Sequence, residues 1–262
     1  MNRQSNVYTV IYSIVLVAVV GVVLSVVYQA LRPSQLENIA NDTKRQILAS
    51  ARLTPEQGQD ISSLFDRHIV SSYIVNSQGQ QIDQSTDPFD VNVSLEVKKP
   101  ADKRLLPVFE CTTDNGLKYI VPVYGAGLWG PIWGYISFDD NGDTIYGAYF
   151  AHQGETPGLG AEIEKAAFSS QFDGKDIFSN GQFTSVAVVK LGKEPNDRAW
   201  VHAVSGGTIT SQGVQKMLFD SLEPYTAFFE KLQNDKNGSV LPDNDTFPGE
   251  DFTGKDLEPQ QL

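Results

Sequence analysis

The feature that most constrains this chain is an uncharged stretch between Arg3 and Arg32. Within it, residues 7–27 are mainly Val, Ile, Leu, Ala and Gly. As a helix rising about 1.5 Å per residue, the stretch exceeds the roughly 30 Å hydrocarbon core of a bilayer. The alternative is a cleaved signal peptide, but its apolar region usually covers only about 7 to 15 residues, and no A-x-A cleavage site follows here. The sequence therefore predicts a retained transmembrane helix.

The anchor also carries information about partners and orientation. Gly21 and Ser25 have the small-xxx-small spacing that lets two membrane helices pack closely, which suggests a membrane partner. Arg3 precedes the span, whereas Arg32 and residues 44–45 supply basic groups after it. Counting Lys and Arg therefore does not decide which end is cytoplasmic.

Charge and cysteine content exclude several classes of function. The formal net charge is −12, which repels polyanions, so nucleic-acid binding is not expected. Cys111 is the one cysteine, so the chain forms no internal disulfide and offers no thiolate cluster for zinc or iron and sulfur. The three histidines are too scattered for a metal helix, and His68 is interpreted as an ordinary surface or core residue. We expect no metal site and no catalytic constellation, so redox chemistry would need an organic cofactor.

Hydrophobic periodicity predicts an α+β fold, a largely antiparallel sheet flanked by helices after the transmembrane helix. An amphipathic helix follows from Gln35, and Thr54, Pro55 and Gln57 have the pattern of a second helix start with a capping box. Helical patterning returns at 161–168 and 214–232. Asn115-Gly116 and Asn141-Gly142 suit hairpin turns. The predicted strands cover 72–75, 119–124, 133–138, 144–152, 183–190 and 199–204.

These patterns divide the chain into four segments. Residues 1–31 form the anchor, and 32–104 form membrane-proximal helices and the first strands. Residues 105–232 form the main domain. The last segment, 233–262, is rich in Asp and Glu and is predicted to be an acidic, disordered tail.

Residues 125–130 match G-x-G-x-x-G, the fingerprint of dinucleotide-binding folds. That fingerprint requires a helix directly after the glycines, so that its N-terminus meets the pyrophosphate. Here Pro131 and a strand-like run at 133–138 follow instead. We interpret the segment as a glycine-rich connection between two strands.

A second motif, E-T-P-G-L-G, lies between a predicted strand and a predicted helix at 155–160. Pro157 and Gly158 suit the central positions of a type II turn. The glycines would let backbone amides approach a flat ligand, but a tight connection with Glu155 in solvent explains the residues equally well.

A third motif, S-G-G-T, occupies 205–208 ahead of a helical pattern. Its two glycines leave the Thr208 hydroxyl approachable near a helix N-terminus, where free amides and the helix dipole favour an anion. Thr210 or Ser211 is the predicted N-cap. A plain Gly-Gly turn with capping hydroxyls is the alternative, and local physics alone favours it.

Together the three motifs resemble the FMN-binding domain family that carries covalent flavin, and within it the C subunits of sodium-translocating NADH:quinone reductases. Residues 205–208 correspond to its S-G-A-T flavinylation motif, 155–160 to its E-T-P-G-L-G sequence, and 124–129 to the Y-G-x-G-L-W stretch of these subunits. The resemblance spans nearly the whole chain.

The resemblance implies a covalent FMN on Thr208, attached as a phosphoester by a separate flavin transferase that uses FAD. It implies a membrane-bound electron carrier that works with the other subunits of a sodium-pumping NADH:ubiquinone reductase. Its soluble domain would lie on the outer, periplasmic side of the bacterial cytoplasmic membrane. The residues implied to bind the cofactor are Ser205, Gly206, Gly207, Thr210, Glu155, Thr156, Pro157, Gly158, Leu159, Gly160 and Lys190, with Tyr124, Gly127, Leu128 and Trp129 also near the flavin.

Two positions depart from the family pattern D-x-x-S-G-A-T. Gly207 replaces the Ala and, being smaller, does not block the hydroxyl. His202 replaces the Asp and removes a carboxylate from the region that the transferase would recognise.

Two other functions remain open at the level of sequence. The G subunit of an Rnf-type ferredoxin:NAD oxidoreductase shares the threonine-linked FMN and an E-T-P-G-L-G type loop. A flavin-free, membrane-anchored binding module would use the glycine loops for a different small ligand.

Overall fold

The computed structural model describes residues 6–82 and 86–238. Its α-helices are α1 (Asn6–Ser50), α2 (Ile61–His68), α3 (Val93–Glu96), α4 (Ala166–Ser169), α5 (Thr208–Leu222) and α6 (Thr226–Gly238). Its strands are β1 (Ile69–Val75), β2 (Leu106–Thr113), β3 (Gly116–Ala126), β4 (Pro131–Asp139), β5 (Ile145–His152), β6 (Phe178–Ser179), β7 (Gln182–Phe183), β8 (Ala187–Val189) and β9 (Trp200–His202). Short 3-10 turns occupy Pro88–Asp90, Ala101–Lys103, Gly160–Glu164, Ser170–Phe172 and Glu223–Tyr225.

The long helix α1 combines the predicted anchor and the predicted amphipathic helix without a break. Its first part is long and apolar enough to cross a membrane, and none of that window is buried against the rest of the protein. Pro33 lies inside the helix. Only the last turns pack on the soluble domain, where Ile47 and Leu48 are fully buried. One helix therefore links a candidate membrane span directly to the domain.

The core of the domain is a five-stranded sheet in the order β1-β2-β3-β4-β5, and every neighbouring pair is antiparallel. Alternate residues point to opposite faces. On β3, Ile120 packs with the end of α1 and with α2, whereas Val121 packs in the larger core beneath α5 and α6. This arrangement confirms the predicted α+β class. The turns at Gly116 and Gly142 have φ of +89° and +64°, as the hairpin motifs predict.

The end of α1 is fastened to the sheet by polar contacts. The Ser137 hydroxyl on β4 donates to the Ser50 carbonyl at 2.6 Å. The Trp133 indole donates to the Gln46 side chain at 3.1 Å. Beyond the helix, Arg52 has a φ of 61° and pairs with Asp173 at 2.8 Å. These contacts fix the direction in which the helix leaves the domain.

Two helix predictions need correction. The start predicted at Thr54 is wrong: α2 begins at Ile61, where the Asp60 carboxylate accepts from the Ser63 amide at 2.8 Å. Gly58, with a φ of +86°, belongs to the intervening turn. The helix predicted at 161–168 is a 3-10 turn followed by the four residues of α4.

The strand predictions also differ in places from the structure. The run 183–190 is interrupted, because Ser185 has a φ of 57° and the amides of residues 184 and 185 both bind the Ile177 carbonyl. Strand β2, which pairs with both β1 and β3, is missing from the predicted strands. At the other end, α6 continues through Gly238, beyond the start of the predicted acidic tail, and residues 239–262 of that tail lie outside the described residues.

Candidate functional site

Three glycine-containing segments that are distant in sequence meet at one end of the sheet. The first is the turn at 127–130 between β3 and β4, closed by a 2.8 Å hydrogen bond from the Gly127 amide to the Gly130 carbonyl. The second, 155–160, follows β5, and the third, 205–207, precedes α5. The first segment is therefore a strand connection, as predicted, and not the start of a dinucleotide-binding helix.

Glu155 joins the three segments from a buried position. Its side chain is only 4% exposed. One carboxylate oxygen accepts from the Trp129 amide at 2.9 Å, and the other accepts from the Thr210 hydroxyl at 2.6 Å. The expectation that Glu155 lies in solvent, one of the two interpretations of its loop, is therefore wrong.

Two glycines leave the room that the Glu155 carboxylate occupies. A Cβ built on Gly127 would overlap Oε1 of Glu155, and a Cβ built on Gly160 would overlap Oε2. A Cβ on Gly160 would also crowd the Thr210 hydroxyl. Gly127 and Gly160 thus leave space for the Glu155 carboxylate, which explains why neither position carries a side chain.

The 155–160 loop has the predicted turn. The Leu159 amide donates to the Thr156 carbonyl at 3.1 Å, and Gly158 has a φ of +75°. These features are those of a type II turn with Pro157 and Gly158 at its centre. The loop contacts the third segment directly, since a Cβ built on Gly206 would lie 2.5 Å from Cδ2 of Leu159.

Thr208 is the first residue of α5 and is half-buried. No group in the described chain forms a hydrogen bond with its hydroxyl. The preceding residue, Gly207, is the N-cap and supplies no capping side chain. Within residues 6–82 and 86–238 the amides of residues 208–210 have no acceptor, and the first amide paired is that of Ser211, to the Gly207 carbonyl at 2.9 Å. The site therefore offers a free hydroxyl beside amides that attract an anion.

The predicted N-cap at Thr210 or Ser211 is wrong because both hydroxyls serve other groups. Thr210 donates to Glu155, and the Ser211 hydroxyl accepts from the Val204 amide at 3.0 Å. The helix begins earlier, and Gly206, with a φ of +73°, makes the turn into it.

Four apolar side chains in these segments and in the first turn of α5 are exposed. Trp129 is 68% exposed and Ile209 54%. Leu128 and Leu159 are exposed as well. Large apolar groups exposed together mark a surface for a ligand or a partner.

The remaining predicted site residues lie in different parts of the domain. Ser205 is exposed in the turn before Thr208. Lys190 is exposed just after β8, beside the strand that leads to Ser205, because the Ala203 amide binds the Val189 carbonyl at 2.8 Å. Tyr124 does not join this group: it lies in a groove of about 670 Å³ between the sheet and α1, together with Trp133 and Tyr135.

Gly213 has a role in the site that sequence reasoning missed. A Cβ built there would overlap the Ala126 carbonyl at the end of β3. The glycine therefore lets α5 approach the end of β3 closely. An isolated glycine inside a helical pattern was the available signal. No group of three metal-ligating side chains occurs among the residues that the structure describes.

Comparisons with known proteins agree with this geometry. Residues 127–223, which include the three segments, match the FMN-binding domain family. The chain is 30% identical to the C subunit of the Na(+)-translocating NADH-quinone reductase of Vibrio anguillarum, over 82% of this chain and 89% of the relative. It is 29% identical to the Pseudomonas aeruginosa subunit, over 88% and 98% of the two chains.

A solved structure shows the same fold. The crystal structure of the corresponding C subunit from Parabacteroides distasonis superposes with a TM-score of 0.71 at 45% identity, covering 76% of this chain and 96% of the other. These matches favour the sodium-translocating reductase over an Rnf-type G subunit. The chain belongs to the family of C subunits of Na(+)-translocating NADH-quinone reductase, and its residues 127–223 form an FMN-binding domain.

Proposed function

We propose that Thr208 carries FMN through a phosphoester bond and that the chain relays electrons between the other subunits of the complex. The observation that carries the proposal is the free, half-buried hydroxyl of Thr208 at the first residue of α5, inside an FMN-binding domain. A hydroxyl with no competing hydrogen bond in the described chain is available for esterification.

The residues around Thr208 fit a flavin phosphate. Gly206 and Gly207 form a cradle that side chains would narrow, since a Cβ on Gly207 would lie 3.1 Å from Cγ1 of Val204 and 3.3 Å from the Gly160 amide. The unpaired amides of the first turn of α5 suit the phosphate charge. The exposed Leu159 and Trp129 offer apolar surface to a flat ring system.

The proposed roles of the residues around Thr208 follow from this chemistry. Thr208 would hold the phosphate, residues 205–207 would clear space around it, and Lys190 would supply a cation near the flavin. When bound, FMN accepts and releases electrons. The polypeptide then needs no general acid, base or nucleophile during turnover, and tethering keeps the cofactor at a high effective concentration near its redox partners.

Attachment would occur once, during maturation by a flavin transferase. The Thr208 oxygen would form a bond to the FMN phosphorus of FAD, the pyrophosphate bond would break, AMP would leave, and the hydroxyl proton would pass to solvent. No oxidant or reductant is required. The resemblance to the family further supports a soluble domain on the outer side of the cytoplasmic membrane.

Two experiments test the proposal. The full chain, produced with the transferase and separated on a denaturing gel, should give a fluorescent flavin band that Thr208→Ala abolishes and that Thr226→Ala, a threonine at the start of α6, retains. In the assembled complex, Thr208→Ala should lower NADH-driven quinone reduction at least about tenfold, a barrier increase of roughly 1.4 kcal/mol. A non-fluorescent wild-type band would favour the flavin-free binding module.

A further inference from the structure

We infer that Glu155 and Thr210 are positioning residues that hold the Thr208 hydroxyl in place for flavin transfer, an inference that rests on the proposed function. The Thr210 hydroxyl already donates a hydrogen bond to the Glu155 carboxylate. Their 2.6 Å hydrogen bond joins the first turn of α5 to the facing loop, across 55 positions of the chain.

Thr208 needs such a contact because its own surroundings are loose. Two glycines precede it, and glycine has the greatest backbone freedom of any residue. The N-cap position lacks a capping side chain. Two side-chain hydrogen bonds hold the first turn of α5: the Val204 amide, seven residues before it, donates to the Ser211 hydroxyl, and the Thr210 hydroxyl donates to the distant Glu155 carboxylate.

Burial makes the contact to Glu155 strong. The carboxylate is 4% exposed, and within residues 6–82 and 86–238 it forms no ion pair. A buried carboxylate without a cation depends on its hydrogen-bond donors, and here the Trp129 amide and the Thr210 hydroxyl supply them. Removing either donor would leave the buried negative charge of Glu155 without compensation. The positions of Trp129 and Thr210 relative to Glu155 are therefore held firmly.

The packing leaves the Thr210 side chain little freedom to rotate toward a bound phosphate. Gly160 lies directly against its hydroxyl, and Thr210 itself is 2% exposed. Its hydroxyl proton already points to Glu155 Oε2. Thr210 thus contributes to the site by fixing the helix two residues after Thr208, and not by contacting the cofactor.

The consequence is kinetic. Misplacing a reacting group by about 1 Å can slow a reaction roughly 100-fold. Loss of the Thr210 hydroxyl should therefore lower the rate constant for transfer onto Thr208 while the affinity of the transferase for the chain stays unchanged. A merely structural role would lower the stability of the domain and leave the rate per folded molecule as it is.

The test measures initial rates of flavin transfer onto the full-length, flavin-free chain in detergent, with purified transferase and FAD, over a range of chain concentrations. Thr210→Val keeps the shape and removes the hydroxyl, and it should lower kcat about 10- to 100-fold with KM within about twofold. Thr210→Ser restores the hydroxyl and should restore kcat. Thr226→Val is the matched control, because among the described residues its hydroxyl binds only the nearby Glu223 carbonyl.

The outcomes separate this inference from the proposed function. Wild-type kcat in Thr210→Val, or a Thr210→Ser variant as slow as Thr210→Val, overturns the positioning role. If Thr210→Val does not fold, Glu155→Asp decides, since its shorter side chain does not span both donors and kcat should fall in the same way. An unmodified wild-type chain would instead refute attachment at Thr208.

Discussion

Thr210 donates its hydroxyl proton to the buried Glu155 carboxylate at 2.6 Å, and the second oxygen of that carboxylate accepts from the Trp129 amide. One side chain thereby links the strand connection at 127–130, the loop at 155–160 and the first turn of α5. The three motifs are parts of one structure, and Thr208 lies in it two residues before Thr210, at the start of α5.

The glycines around this carboxylate should be intolerant of side chains. Gly127→Ala or Gly160→Ala places a Cβ on a carboxylate oxygen, and such overpacking typically costs about 1–3 kcal/mol. Urea unfolding of each full-length variant would measure the loss. Gly130→Ala is the matched control, because its nearest neighbour in the described structure, Gln153, would lie 3.6 Å away. Equal stability of all three variants would contradict the packing described for Glu155.

Restoring an acidic residue at position 202 should assist maturation. His202 has a buried Nδ1 with no hydrogen-bond partner in the described chain, and its ring packs 5.0 Å from that of Trp200. We expect His202→Asp to raise the rate of flavin transfer severalfold, because one added hydrogen bond between the chain and the transferase contributes about 0.5–1.5 kcal/mol. The flavinylation rates of His202→Asp and His202→Asn would be compared, because Asn has the size of Asp but carries no charge. A rate for His202→Asp at or below the wild-type rate would show that the carboxylate is not needed.

The sequence predicts the fold and the candidate site to different extents. The antiparallel sheet and its hairpins follow from local signals such as Asn115-Gly116, because turn geometry is set by the residues in the turn. The missed strand β2 contains Pro107 and Glu110, which break the usual alternation; there the Pro107 carbonyl accepts the Tyr225 hydroxyl at 2.8 Å and Glu110 accepts that of Tyr73.

The site illustrates a different limit. The sequence identified the three motifs and predicted an approachable hydroxyl at Thr208, and the resemblance implied that Glu155 and Thr210 bind the cofactor. Their mutual hydrogen bond is a long-range contact, and no local pattern encodes it. The N-cap was misplaced because both hydroxyls have other partners: Thr210 donates to the distant Glu155, and Ser211 accepts from the Val204 amide, seven residues before it.

Cys111 should be unreactive in the folded domain. Burial raises the pKa of its thiol to about 11, because the charged thiolate loses its hydration. The raised pKa keeps the neutral thiol favoured in the folded state, so this contribution to stability is complete below the unfolded pKa of about 8.5 and is lost as pH rises through about 11. Iodoacetamide at pH 8 should label the unfolded chain and not the folded one. Equal labelling of both, followed by intact mass, would contradict the buried position.

The span in α1 should fail to insert when its centre carries charge. Val17 and Val20 are one turn apart and exposed on the helix. Two Asp residues there should cost about 5–7 kcal/mol, at roughly 2.5–3.5 kcal/mol each. Extraction of membranes at alkaline pH should release Val17→Asp/Val20→Asp and retain Val17→Leu/Val20→Leu. Retention of both variants would show that α1 is not the anchor.

Covalent attachment is tested most directly by mass spectrometry of the peptide containing Thr208, from the complex purified out of native membranes. We predict a peptide heavier by FMN less one water, with fragment ions that place the addition on Thr208. The same peptide found only in its unmodified mass, or the flavin located on another residue, would contradict attachment at Thr208.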